Sequence, residues 1–242
     1  MITDHKSPHF ARDVTRRNHR GKRALAFNSL KSEGGDVRVE SALEKNVGLL
    51  LEADPRVKSF TAQPFTLEIV SNKIFKSKVD YQKRAGVTHS FYTPDFLCVM
   101  DDGALIAIDA KHSSFMEKFE VRRPIIEACL NQHGMQFLVV PDTALSQTVI
   151  ANISSIHGLR AEFQSAFRAQ AVHELESILL VRQHWVISEI EVHLTGGKAA
   201  VLAGILSGAL ASDLNTSLFS VQSRVCAAYG DLSHFQLLEL GQ

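Results

Sequence analysis

The chain has 242 residues, 45% apolar and 21% charged, the mix of a globular protein able to bury a core. Its 26 basic and 26 acidic residues cancel, which excludes a partner assigned from net charge alone. No apolar run approaches the roughly 18 residues of a membrane span, the N-terminus lacks the apolar core of a secretory signal, and three distant cysteines make no zinc or disulfide pattern, so a reduced, cytoplasmic protein with no membrane partner is expected.

Charge is unevenly spread. Residues 1–141 hold 21 basic and 17 acidic side chains, and residues 142–242 hold 5 and 9. The first 32 residues carry eight basic side chains against Asp4 and Asp13. This segment reads either as a solvated arm or as a phosphate-binding arm in which Arg16, Arg17, Arg20, Lys22 and Arg23 neutralise DNA charge. Next, DVRVESALEKNVGLLLEADP predicts a helix, with Val39, Leu43, Val47, Leu50 and Leu51 on one stripe and Asp54-Pro55 as its stop. Short β-type runs follow at 57–61, 65–70 and 74–81.

SFYTPDFLCVMDDGALIAIDAKHSSF then predicts a hairpin around Asp101-Asp102-Gly103, the glycine occupying the position that tolerates positive φ. Ser114 and Glu117 have capping-box spacing and predict the start of the next helix. Pro124 either kinks that helix or marks its real start, and its end is expected near Gly134. Met135 to Val140 reads as a buried strand. Beyond Pro141 the pattern turns helical: 143–157, 159–181, 189–194 and 198–211 are helix candidates. Residues 214–229 read as two short strands about Ser220. The predicted organisation is a basic arm over 1–32, a mixed α/β sheet flanked by helices over 33–145, and a mainly helical, winged-helix-like domain over 146–242.

The chemistry concentrates in the hairpin. Asp109 and Lys111 share one face of a strand because side chains alternate with period two. A three-residue loop makes Met100 and Ala104 partners, which sets Asp95 opposite Asp109 on that face. A loop one residue shorter turns Asp95 away. Two adjacent carboxylates repel unless a cation neutralises them, and a hard divalent ion suits oxygen ligands. Glu44, on the preceding helix, is available as a third carboxylate. Taken alone, an Asp-x-Lys is a surface ion pair of little energy; the preceding Pro-Asp, the register and the upstream Glu point instead to a catalytic site. No P-loop, HExxH or nucleophile elbow occurs.

The array Glu44, Thr93-Pro94-Asp95, Asp109-Ala110-Lys111 resembles the PD-(D/E)xK nuclease superfamily. The flanking text ESALEKNVGLLLEADPRVKSFTAQP, YTPDFLCV, IDAKHSS and QFLVVPDTALSQTVIANISSI is similar to the TnsA-type transposon-end endonucleases over roughly residues 24–160. The resemblance implies a restriction-endonuclease-like fold. It implies that Glu44, Asp95 and Asp109 are catalytic and hold Mg²⁺, with Mn²⁺ as substitute, and that Lys111 is the catalytic lysine. Gln63 matches the family's Gln before Pro and is grouped with the DNA-binding residues. The implied activity is cleavage of the 5′ strand at transposon ends in double-stranded DNA. The implied setting is the bacterial cytoplasm, beside a TnsB-like transposase and a TnsC-like ATPase. Two other readings use the same residues: a freestanding restriction- or repair-type nuclease, and a non-catalytic DNA-end assembly module.

Overall fold

Leu25–Asn28 (β1) and Asp36–Val39 (β2) form an antiparallel hairpin, with Phe27, Val37 and Val39 buried on its inner face. The computed structural model describes residues 24–76, 80–81, 88–160 and 165–240. Residues 25–28, assigned by sequence to a basic arm, therefore form a strand, because Phe27 has a core to enter. Arg16, Arg17, Arg20, Lys22 and Arg23 lie outside the described residues. The helix predicted from Asp36 starts later: Asp-Val-Arg-Val alternates with period two and pairs as a strand, and α1 spans Ala42–Ala53. Gly48 lets that hairpin approach α1, since a Cβ there would lie 2.5 Å from the Phe27 ring.

The chain separates into two units, the first holding residues 24–52, 56–144 and 239–240, the second 53–55 and 145–238, counted among the described residues. The main sheet of the first unit has the order β3-β7-β8-β9, from Val57–Ala62, Phe96–Met100, Leu105–Lys111 and Met135–Pro141. Three strands are antiparallel to their neighbours and β9 runs parallel to β8. A parallel neighbour needs a crossover, supplied by helices α2 (Ser113–Glu120) and α3 (Arg123–Gln132). Pro124 sits in the first turn of α3, where no intrahelical N–H is required, and so opens a second helix. The start of α2 also differs from expectation. His112 is its N-cap, the ring accepting the Ser114 N–H at 3.2 Å, so the Ser114–Glu117 spacing is not a capping box. Gly134, at φ 72°, follows α3 and turns the chain into β9.

A smaller sheet, β5-β4-β6, combines Lys73–Phe75, Thr66–Glu68 and Phe91–Tyr92. Leu67 of β4 pairs with Tyr92 of β6. Phe65, Leu67, Tyr92 and Ala107 join Ile126, Cys129 and Leu130 of α3 in one apolar cluster. Each such buried aliphatic side chain contributes roughly 1.5–3 kcal/mol relative to exposure.

The second unit contains α4 (Gln147–Arg160), α5 (Ser165–Leu179), α6 (Ile187–Ile190) and α7 (Gly197–Leu206), with a sheet in the order β10-β12-β11 from His184–Val186, Arg224–Ala227 and Leu210–Ala211. α7 is buried over Ala200–Ile205, and Gly204 admits Leu175 of α5, whose Cδ1 would lie 2.3 Å from a Cβ there. The expected helix over 198–211 stops at Leu206 because Gly208, at φ 72°, ends it and β11 begins. Only one strand occurs within 214–229. Buried Asn152 instead satisfies the loop backbone, donating to the Leu214 and Thr216 carbonyls and accepting the Leu218 N–H. Among the described residues no helix is long and apolar enough to cross a membrane.

Candidate active site

The β7–β8 register is the one a three-residue loop demands. Phe96 pairs with Ile108 and Val99 with Leu105, and the Met100 N–H donates to the Ala104 carbonyl at 2.9 Å. Gly103 takes φ 87° in the turn, and Asp102 accepts the Ala104 N–H at 2.9 Å. One step beyond Phe96–Ile108 the register sets Asp95 against Asp109. The Asp95 carboxylate accepts the Ala110 N–H at 2.7 Å, which ties it to β8. From the other side, the Gln63 N–H donates to the Asp95 carbonyl at 2.8 Å. Asp95 is thus clamped between Gln63, the residue after β3, and Ala110 of β8.

Asp109 is 2% exposed. Its Oδ2 has no hydrogen-bond partner and is met instead by the Lys111 ammonium, 3.0 Å away. Lys111 keeps 25% of its side chain exposed and lies over the Phe119 ring of α2 at 4.8 Å. The cation therefore spans the gap between the buried carboxylate and solvent. Behind it, the Asp142 carboxylate accepts the Ser113 N–H at 2.8 Å and lies 3.0 Å from His112 Nε2. These contacts pin the start of α2 to the end of β9, fixing the chain directly after Lys111.

Glu44 is buried at the start of α1. One of its oxygens accepts the Ser41 hydroxyl at 2.7 Å, and the other accepts the Glu40 N–H at 2.9 Å. The Ser41 hydroxyl in turn accepts the Glu44 N–H at 3.1 Å. This is a capping box with its backbone donor shifted by one residue. Glu44 thus combines a cap with a place near the other carboxylates. Burial raises its pKa above the usual carboxylate range, its two cap hydrogen bonds pull the other way, and the charges of Glu40 and Asp109 push it up again. Asp95 is raised much further, first by burial and then by the negative charges of Asp109 and Glu44.

Gln63, grouped by sequence with the DNA-binding residues, is 3% exposed. Its backbone N–H bond to the Asp95 carbonyl makes it a support for the site. It adopts φ 45°, an uncommon region for a side chain larger than glycine's, and its Oε1 has no hydrogen-bond partner. Tyr92 was not singled out by sequence. Its hydroxyl is buried without a hydrogen-bond partner, and its ring shares a cluster with Ala107, two residues before Asp109 on the same face of β8. Burial, followed by the charges of Asp109 and Asp95, drives the Tyr92 pKa well above its usual value. Its only sequence signal is its place three residues before Asp95.

Among the described residues no three His, Cys, Asp or Glu side chains are gathered to ligate one ion. The Asp95–Asp109 pair nevertheless fits a hard divalent cation. Both donors are carboxylates, Asp109 Oδ2 lacks a hydrogen-bond donor, and the mutual charge that raises Asp95 is the charge a cation would neutralise. Glu44 has both oxygens engaged in its cap and stands near this pair.

Residues 54–142 match the family model described as TnsA-like endonuclease N terminal. The matched segment runs from the end of α1 through β9, so it contains Gln63, Asp95, Asp109 and Lys111, while Glu44 precedes it. No curated protein matches the chain.

Proposed function

We propose that the first unit is a Mg²⁺-dependent DNA endonuclease that hydrolyses one phosphodiester bond. The observation that carries this reading is the convergence of Asp95, Asp109 and Lys111 inside a segment similar to a TnsA-like endonuclease domain. Asp95 and Asp109 are the residues that would hold the cation, with Glu44 as a further carboxylate. What Mg²⁺ or Mn²⁺ supplies there is Lewis-acid polarisation of phosphate and water. The remaining work falls to the chain. The Ala110 N–H fixes Asp95, and the Asp142 pin fixes the segment that carries Lys111. When a phosphate arrives, the Lys111 ammonium exchanges its contact with Asp109 for a phosphate oxygen and stabilises the charge that develops on it.

The same resemblance supports a finer reading: cleavage of the 5′ strand at transposon ends, in the cytoplasm, with a TnsB-like transposase and a TnsC-like ATPase. Residues 33–145 are the catalytic domain in this reading. Residues 1–23, with their arginines and lysines, bind backbone phosphates. Residues 146–242 form a winged-helix-like module. The alternation of α5, β10, α6, α7, β11 and β12 and the β10-β12-β11 sheet order support that assignment. Burial of α7 over Ala200–Ile205 leaves little of it to read bases, which favours a protein partner for this unit.

The test is nicking of labelled duplex DNA with Mg²⁺, with and without the partner proteins. Cleavage that needs the partners and is lost in Asp109→Ala supports the transposase reading. Cleavage by the lone chain at a defined sequence supports a freestanding nuclease. Cleavage unchanged in both Asp109→Ala and Lys111→Ala overturns the site.

A further inference from the structure

We infer that Tyr92 is a positioning residue of this site: its unsatisfied hydroxyl is the donor that closes onto Asp109 when the cation binds and holds that carboxylate in the orientation that receives it. The inference rests on the endonuclease reading of the same carboxylates.

The two acids are supported unequally. Asp95 takes a backbone donor, the Ala110 N–H at 2.7 Å. Asp109 is the more enclosed, and no backbone N–H reaches its Oδ2. The Lys111 ammonium touches it, yet that side chain is partly in solvent and is the group a phosphate would draw away. A fixed donor to Asp109 must come from elsewhere. The Tyr92 ring shares a cluster with Ala107, two residues before Asp109 on the same face of β8, and its hydroxyl and Asp109 Oδ2 are both buried without a hydrogen-bond partner.

Tyr92 is built into a rigid place. β6 pairs it with Leu67, and its ring meets Phe137 of β9 edge to face at 5.9 Å between centroids. The ring belongs to the apolar cluster under α3, where a phenylalanine would pack as well. A buried hydroxyl without a closed hydrogen bond destabilises a fold relative to such a phenylalanine. Packing therefore explains the ring and leaves the oxygen unexplained. A donor aimed at a carboxylate that must keep one geometry explains it, because groups behind a metal ligand orient that ligand and set its affinity.

Tyr92→Phe separates the two roles. The full-length chain and this variant are titrated with Mn²⁺ by calorimetry, with Asp109→Asn as control, and nicking is followed against Mn²⁺ concentration. The positioning role predicts Mn²⁺ binding weakened roughly 10- to 100-fold. It also predicts an unchanged or higher melting temperature in chelator and recovery of most nicking at saturating Mn²⁺. A purely structural tyrosine predicts unchanged Mn²⁺ affinity, which overturns the inference, as does loss of nicking at every Mn²⁺ concentration with affinity intact. If wild type and Asp109→Asn bind Mn²⁺ equally weakly, the endonuclease reading itself fails and takes this inference with it. Unchanged affinity in Tyr92→Phe alone, with Asp109→Asn impaired, removes only the role of Tyr92.

Discussion

Glu68 and the Asp95–Asp109 pair, both in the first unit, are carboxylate sites built from the same chemical groups with opposite electrostatic outcomes. Glu68, 1% exposed, accepts the Ser71 N–H at 2.7 Å, the Ser90 N–H at 3.3 Å and the Val70 N–H at 3.4 Å. Burial alone would raise its pKa, but these bonds and the Ser71 hydroxyl outweigh burial and hold it below the usual value. Asp95 accepts one backbone N–H, too little to offset its burial and the charges of Asp109 and Glu44, so its pKa rises. The first site is closed: the fold supplies the donors, and the carboxylate anchors the turn between β4 and β5 and the entry to β6. The second is open: the fold gathers three acids against one partly exposed compensating charge, Lys111. Burial of a carboxylate thus says little about its role until its donors are counted.

The largest consequence is on chemistry. Lys111→Met should lower nicking by at least about 10²-fold, the scale of losing a group that acts in the transition state, with the fold retained by circular dichroism. Lys111 neutralises Asp109, so the variant should also bind Mn²⁺ no more weakly than wild type. Weaker binding together with partial unfolding would make Lys111 a structural ion pair.

The next effect is on stability. Glu68→Ala leaves several N–H groups without their acceptor and should destabilise the fold by on the order of 3 kcal/mol, read by urea denaturation. Asp95→Asn should do the opposite. It keeps an oxygen for the Ala110 N–H and removes a charge opposed by Asp109 and Glu44, so stability in chelator should rise by about 1 kcal/mol while nicking is lost. A destabilised Asp95→Asn would mean that the two sites follow one rule rather than two.

The pH dependence sharpens the same contrast. The native Glu68 value is depressed, so its contribution is present above its ordinary value of 4.5 and is lost as pH falls through the native value. The native Asp95 value is raised. Relative stability is therefore fullest below its ordinary value of 3.8 and is lost as pH rises towards the native value. In chelator, the stability difference between wild type and Asp95→Asn should accordingly grow in favour of the variant as pH rises from about 4, reaching the roughly 1 kcal/mol above. The difference between wild type and Glu68→Gln should grow in favour of wild type as pH rises from the native Glu68 value to 4.5 and stay level above it. Parallel slopes would refute the distinction.

Much of the open site was legible because it depends on local rules. Side-chain alternation puts Asp109 and Lys111 on one face, and the loop length brings Asp95 to Asp109. Both follow from covalent geometry and a glycine in a turn. Tyr92 was not legible, because its approach to Asp109 depends on β6 pairing with β4 across an intervening segment. The start of α2 was misread for a related reason. A capping-box spacing at Ser114 and Glu117 competes with a histidine one residue ahead of the helix, and only the position of Asp142, directly after β9, decides between them. In the second unit, the loop at 214–223 looked like a strand because its polar backbone needs partners, and buried Asn152 supplies them from a distant helix.

Glu44 is where the closed and open logics meet, and it gives the smallest and most discriminating effect. The sequence offered Glu44 as a third carboxylate on the predicted helix, and the resemblance made it an acid of the site. The structure shows it also closing a cap. Ser41→Ala removes one cap bond from each side and should cost about 1 kcal/mol, the usual size for an N-cap hydroxyl. Glu44→Gln keeps an oxygen able to accept one cap bond, while its NH₂ cannot accept the other, so stability should fall by no more than about 1 kcal/mol. If Glu44 serves only the helix, nicking in both variants should track these small stability losses and recover at lower temperature. If it also serves the chemistry, Glu44→Gln should lose nicking at every temperature while Ser41→Ala keeps it. A cap residue needs an acceptor and an acid of the site needs a charge, and glutamine retains one acceptor while removing the charge.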